Sequence, residues 1–468
     1  MTTKYYKYLA LTLFGGMIVA SCNVSKKYKR PDVTANNLYR DSTSTDSTSM
    51  ADLPWRQLFA DTVLQGLIQE GINNNLDLRT AILKISESQA TLRSAKLAFF
   101  PTLDGGVQAT KAKSSQAALN FPAGIGINLN TTTYQASFTA SWELNVWGQL
   151  SSLKRQALAN FLQSDANKRA VQTQLIADIA NDYYTLLAYD QQLVITQQTV
   201  KNRIADVETM KALKEGAVVN GAAVVQSEAN RYAAEVTIPD IKQSIRETEN
   251  ALCILLARAP GAVKRTSLAG QQPVTEIKDG LSTQLLRNRP DVQASEFAFR
   301  SAFENTNVAH SYFYPKLTIT AEGGLSSLQL KNLFDNSIFY NLVGGLTQPI
   351  FNQGQNKARY RIAQAQQLEA FNTFQQTILT AGQEVSNALY SYQNAVSKQQ
   401  TRQMQLAALE KSVDFTKELL RYSSATNYTD VLTSEQSLLA AQLSGVNDKL
   451  QQLQATVNLY RALGGGWK

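Results

Sequence analysis

Two different spacings of apolar residues run through the chain. Over residues 134–143 apolar and polar positions alternate strictly. Tyr134, Ala136, Phe138, Ala140 and Trp142 fall on one face and Gln135, Ser137, Thr139, Ser141 and Glu143 on the other, which predicts a strand. Residues 317–322 carry the same alternation. Residues 149–215 hold no Gly or Pro and residues 355–422 only Gly382. Their apolar positions, Ile176, Ile179, Tyr183, Leu186 and then Ile378, Ala381, Val385, Ala388, Tyr392, Ala395, advance by three and four. That spacing predicts two long helices with a coiled-coil seam of small and aromatic residues. At 1.5 Å per residue, the 67 residues of 149–215 extend about 100 Å.

The two patterns recur because the chain is an internal duplication. Leu76-Asp77 matches Pro290-Asp291, and Phe100-Pro101 matches Tyr314-Pro315 at the same offset. Gly148 matches Gly354, Asn181 and Tyr184 match Asn387 and Tyr390, and Ser227-Glu228 matches Ser434-Glu435 at a slightly shorter one. The length difference falls between Pro101 and Gly148, as expected of a loop. Each half reads as helix, strand-like stretch, very long helix, kink and further helix. The fold class expected is α+β in two duplicated helix-strand-strand-helix halves.

Each half offers two strands, residues 101–113 with 134–144 and 315–326 with 340–347. Period alone fits a soluble half-buried hairpin and a transmembrane barrel strand equally. Open strand edges are not tolerated in lipid, so four strands in a membrane require closure by further copies. Two, three or four copies satisfy that arithmetic.

The N-terminus bears on this choice. Residues 1–21 carry Lys4, Lys7, an apolar run from Leu9 to Ala20 and no acid, which reads as a secretory signal. The run of about 12 residues is too short for a hydrocarbon core of about 30 Å. It ends in Val19-Ala20-Ser21-Cys22, similar to the lipobox of bacterial lipoproteins, in which Cys22 becomes the acylated N-terminus. Asn23 rather than Asp follows, which favours export to the outer membrane. A basic stretch, Lys26-Lys27-Tyr28-Lys29-Arg30, comes next. The segments expected are a signal peptide at 1–21, a lipidated tether at 22–60, a first repeat at 61–261, a connection at 262–280 and a second repeat at 281–468.

Composition narrows the chemistry. The 468 residues are 44% apolar and 18% charged, with 2 Cys, a single His (His310) and net charge +8. One imidazole leaves triads and catalytic zinc almost no material. No Gly-rich phosphate loop or nucleophile elbow accompanies the scattered carboxylates. The expectation is no enzyme, no catalytic residue, no metal and no cofactor apart from the lipid on Cys22. The basic residues are interspersed with acids along helices, so nucleic acid is not an expected partner. Cys253, in an apolar helical run, is expected to be a buried thiol.

Several pieces in fixed order then resemble the TolC-like outer-membrane efflux proteins, specifically the lipoprotein (NodT/OprM-like) subgroup that serves resistance-nodulation-division pumps. They are Cys22 with Tyr28-Lys29-Arg30-Pro31, Trp55-Arg56-Gln57-Leu58-Phe59, Asn74-Asn75-Leu76-Asp77, Leu285-Leu286-Arg287-Asn288-Arg289-Pro290-Asp291, Asp430-Val431-Leu432 and Leu459-Tyr460-Arg461-Ala462-Leu463-Gly464-Gly465-Gly466-Trp467. The resemblance implies a homotrimer whose twelve-stranded β-barrel in the outer membrane continues as a long α-helical periplasmic barrel. It also implies a passive exit duct docked to a periplasmic adaptor (membrane fusion) protein and an inner-membrane pump. Asp430 resembles the family's acidic ring at the periplasmic constriction, with Tyr422 and Tyr428 beside it. Asp430 also fits as the N-cap of a helix beginning at Val431, a role compatible with the ring. Gly216, Gly221, Ser423 and Ser424 lie at the turns where an adaptor would touch. Thr433 stands where many relatives place a second Asp, and residues 423–425 lack the usual tip glycine. The alternative reading is a lipid-anchored periplasmic coiled-coil scaffold or adaptor without a pore.

Overall fold

The computed structural model describes residues 24–32, 38, 49–115, 128–272, 285–422 and 428–468; Cys22, Ser423 and Ser424 lie outside them. Helices longer than one turn are α1 (Thr62–Asn74), α2 (Leu76–Leu97), α3 (Gln149–Glu215), α4 (Gly221–Glu235), α5 (Thr237–Leu255), α6 (Pro290–Ser311), α7 (Gln355–Tyr422) and α8 (Tyr428–Ala462). The strands are β1 (Thr102–Lys113), β2 (Asn130–Glu143), β3 (Lys316–Ser327) and β4 (Ile338–Thr347). Both halves thus run helix, two strands, a long helix and a return helix.

Local chemistry sets the boundaries. Asp61 caps α1, accepting from Val63 N at 2.8 Å. Pro101 and Pro315 stand just ahead of β1 and β3, where a residue without an N–H cannot continue a helix. The repeat-matched Gly148 and Gly354 take φ of +81° and +76°, a left-handed turn that glycine adopts without steric cost. Beginning directly after them, α3 and α7 run 67 and 68 residues, because no proline interrupts either. The halves differ after the turn: the first returns as α4 and α5, parted at Val236 with Pro239 in the first turn of α5, and the second as α8, 35 unbroken residues.

The chain forms two compact units, and neither is a repeat. Residues 1–31, 86–162 and 296–372 make the unit holding all four strands; residues 32–85, 163–295 and 373–468 make the other. The second unit holds the larger core, in which Leu64, Ile68, Ile176, Ile179, Tyr183, Leu186, Leu252, Phe374 and Ile378 are fully buried. The seam positions Ala381, Val385, Ala388 and Ala395 are buried as well. Asp61 reaches this core as a carboxylate: against the effect of burial, hydrogen bonds from Thr266 (2.6 Å), Tyr183 (2.8 Å) and Gln271 (2.7 Å) hold it below the usual carboxylate range. Cys253 is a free, buried thiol. Among the described residues no helix is long and apolar enough to cross a membrane.

Candidate functional site

The four strands form one antiparallel sheet in the order β1-β2-β3-β4. The register aligns the alternation across all of them. Leu103 pairs with Ala140, Ala140 with Ala321 and Ala321 with Leu342; two residues along, Gly105, Phe138, Gly323 and Tyr340 form the next row. One face is therefore apolar from the Leu103 row to the Ala109 row, and at its far end the same face carries Lys111, Lys113, Asn130, Thr132 and Ser327. The other carries Asp104, Gln108, Gln135, Ser137, Thr139, Glu322 and Asn341, with Gln135 donating to Glu322 at 2.8 Å. Gly324 makes the close β2–β3 pairing possible, since a Cβ there would lie 2.1 Å from the Ala136 carbonyl oxygen.

Among the described residues nothing covers the apolar face: Val107 is 85% exposed, Tyr340 88% and Leu342 70%. A contiguous apolar surface of this kind marks a membrane or protein contact. The outer edges of β1 and β4 have no strand partner among the described residues, so their backbone groups require one from outside the chain in any water-free setting.

The other candidate region is where the long helices turn. At the end of α3, Val218 N donates to Leu213 O at 2.9 Å and Ala217 N to Lys214 O at 3.0 Å, the paired bonds of a Schellman cap. The left-handed residue is Ala217 (φ 56°), one beyond Gly216. Asn220 caps α4, accepting from Ala223 N at 3.2 Å, and Gly221 opens that helix. In the second half α8 begins at Tyr428, so Asp430 lies exposed inside its first turn, not at the N-cap. A carboxylate there complements the positive helix N-terminus. Tyr422 is 85% exposed, while Tyr428 is 9% exposed and packs with Met210, Val224 and Leu432. The structure thus draws Tyr428 into a small core joining α3, α4 and α8 and leaves Tyr422 and Asp430 at the surface.

Behind that core lies a polar joint that no local motif announces. Lys417 Nζ on α7 is 2.5 Å from Glu435 Oε1 on α8 and 3.7 Å from Asp206 Oδ1 on α3. Burial, followed by the charge of Glu435, pushes the Asp206 carboxyl up to about 6, although Lys417 pulls the other way. Arg203, buried, donates to the Asn230 carbonyl. Arg203 Nε, Asp206 Oδ2, Ser227 Oγ and Asn230 Nδ2 are buried without a protein partner among the described residues. Each such group costs about 1–3 kcal/mol, so this joint is a weak point between the first helical hairpin and the second. Its residues are far apart in sequence, and only the match of Ser227-Glu228 to Ser434-Glu435 pointed to it.

In the sheet-bearing unit the N-terminal segment lies along α6. Lys26 exchanges two hydrogen bonds with Asn307 (3.1 and 2.9 Å), Tyr28 packs edge-on to Phe299 and Phe303, and Arg30 pairs with Glu296 at 2.7 Å.

The sequence model of the family described as outer membrane efflux protein matches residues 67–258 and again 281–465. The chain belongs to this family. It is 29% identical to the probable efflux pump outer membrane protein TtgC of Pseudomonas putida, over 99% of this chain and 96% of that one. It is equally identical to the probable outer membrane lipoprotein SilC of Salmonella typhimurium, over 99% of both. Among solved structures, the open state of the MtrE outer membrane channel of Neisseria gonorrhoeae superposes with a TM-score of 0.84 at 26% identity, covering 96% of this chain and 99% of that one. The family is one of efflux ducts and not of enzymes. The fold is the duplicated α+β channel fold, the location is the outer membrane, and the exposed sheet face and helix turns are features of an exit duct for efflux.

Proposed function

We propose that three copies close their sheets into a twelve-stranded outer-membrane barrel, with the long helices forming a periplasmic duct that receives small molecules from an adaptor protein and an inner-membrane pump. The single observation carrying this is the four-stranded sheet, which among the described residues has one largely apolar, uncovered face and two unpaired edges. Lipid satisfies the face and neighbouring copies satisfy the edges. Twelve strands follow from three copies, the number the family resemblance implies.

In this reading the helix turns are the periplasmic gate. Asp430, exposed in the first turn of α8, supplies one carboxylate per copy to a cation-favouring ring, with Tyr422 beside it and Tyr428 anchoring α8 behind it. The underpaired joint around Asp206 is where the hairpins part at least cost. Gly216 and Gly221, with Ser423 and Ser424 beyond the described residues, mark the turns that meet the adaptor. Cys22, also beyond them, bears the acyl chains. The course of residues 26–30 supports that assignment, because it runs antiparallel to α6 and so leads back toward the start of β3.

Conductance in a planar bilayer, together with the mass of the detergent-solubilised protein, tests this. Stepwise cation-favouring conductance from a trimer is expected, with selectivity lost in Asp430→Ala. A monomer that never conducts would overturn the reading.

A further inference from the structure

Residues 24–32 are pinned on one side and left charged on the other. The reciprocal Lys26–Asn307 backbone bonds, the seat of Tyr28 and the Arg30–Glu296 pair fix the segment to α6. The Arg300 guanidinium lies 5.5 Å from the Tyr28 ring centroid and adds a further positive charge. Lys26, Lys27 and Lys29 are exposed, and no acidic side chain among the described residues pairs with any of them. Asp32 is the one acid in the segment.

The position of these lysines matters as much as their charge. Successive contacts step down α6 from Asn307 to Glu296, so the chain direction is antiparallel and Lys26 is the lysine nearest Ser311, where α6 ends. Four residues separate Asn307 from Ser311, about 6 Å of helix rise. Shortly beyond comes Leu317, the first residue of the apolar face at that rim. The headgroup layer extends roughly 6 Å past the hydrocarbon core on each side, and an extended lysine spans about as much. Lys26 therefore lies nearest headgroup depth, with Lys27 next and Lys29 about 12–16 Å of helix rise lower along α6.

We infer that Lys26, Lys27 and Lys29 form a basic strap that takes the anionic headgroups of phospholipids in the periplasm-facing leaflet. The inference rests on the barrel reading above, which places that leaflet at the rim where α6 joins β3. A basic segment beside an apolar or acylated anchor is a second, electrostatic membrane signal. Here it is held in register by α6, so it also fixes which side of each protomer collects anionic lipid.

The test titrates the full-length protein in detergent with phosphatidylglycerol and phosphatidylethanolamine and counts bound lipid by native mass spectrometry. The parent is expected to retain phosphatidylglycerol preferentially, with the preference weakening as salt rises. The triple variant Lys26→Gln, Lys27→Gln, Lys29→Gln should lose that preference by about tenfold or more. Lys111→Gln with Lys113→Gln, at the opposite rim of β1, should leave it intact, as should Cys22→Ser, because the segment is docked by side chains and not by acyl chains. An unchanged preference in the triple variant would overturn the proposal. So would full loss in Cys22→Ser, or displacement of the lipid by millimolar inorganic phosphate. Carbonate extraction of vesicles holding the parent separates this from the barrel reading: release from the membrane would sink that reading whatever the lipid counts.

Discussion

Lys417 Nζ stands 2.5 Å from Glu435 Oε1, and its counterpart one repeat earlier, Lys211, stands 3.9 Å from Glu228 Oε1. The duplication preserved the pair, but the surroundings differ. Lys211 is 47% exposed and shared with Glu208, whereas Lys417 is 33% exposed and shared with Asp206 from the other hairpin. At the position one repeat after Asp206 stands Ser412, which hydrogen-bonds Ser434 at 3.2 Å. One copy of the pair became a joint between hairpins and the other remained a surface contact.

The two lysines should therefore respond unequally to the same change. Lys417→Met leaves two largely buried carboxylates facing each other and is expected to cost about 2–4 kcal/mol. Lys211→Met removes an exposed pair and should cost less than about 0.5 kcal/mol. Urea unfolding of the two variants, followed through the helical signal, measures the difference; equal shifts would remove the distinction drawn between them.

Asp206 makes the joint sensitive to pH. Its carboxyl, at about 6 in the folded chain against 3.8 unperturbed, is raised, so the folded state favours the protonated form. The stabilisation is fully present below about 3.8 and is lost as pH rises through about 6. Backbone amides of α4 and the start of α8 should exchange hydrogen more slowly at pH 5 than at pH 7.5, after correction for intrinsic rates. Asp206→Asn should flatten that dependence.

Arg289 is the most enclosed cation among the described ion pairs, with its side chain 6% exposed. It bonds Asp291 at 2.6 Å, Glu384 at 2.8 Å and the Ala462 carbonyl at 2.9 Å, tying the start of α6 to α7 and the end of α8. Arg289→Met should destabilise the protein by about 3–5 kcal/mol. A thermal midpoint close to that of the parent would show that the neighbours repack without it.

Gly148 and Gly354 provide a test of backbone strain. A Cβ on Gly354 would meet nothing within 4 Å, so the cost of Gly354→Ala comes from its positive φ alone, about 1–2 kcal/mol. Gly148→Ala should cost a similar amount or more, and chemical denaturation of both variants reads it directly.

The two faces of the sheet should be separable by one-residue shifts. Ala136→Arg puts a cation on the apolar face near mid-strand and should impair folding into vesicles by about 2–4 kcal/mol. Ser137→Arg, on the polar face, should insert nearly as the parent does. Insertion yield against urea concentration distinguishes them, and equal impairment would argue against lipid on the apolar face.

The sequence by itself determined the elements whose causes are local. Strict alternation over residues 134–143 meant a strand, and the absence of Gly and Pro from 149–215 meant one helix, whatever the chain does elsewhere. The strand starts after Pro101 and Pro315 were legible for the same reason, and the repeat match of Gly148 with Gly354 was legible, while the left-handed turns there came only from the structure. The family motifs carried the fold class, the outer-membrane location and the efflux role. Tertiary structure alone decided which residues meet. The register of the four strands brings most of their apolar residues onto one side, leaving Val343 and Phe339 on the other, and the ring of Tyr428 packs against Met210 and Val224 while Asp430 stays exposed in the first turn of α8. The joint of Asp206, Lys417 and Glu435 was barely legible beforehand because Asp206 lies about two hundred residues from the other two. Charge pairing depends on distance in space, which periodicity along a chain does not encode.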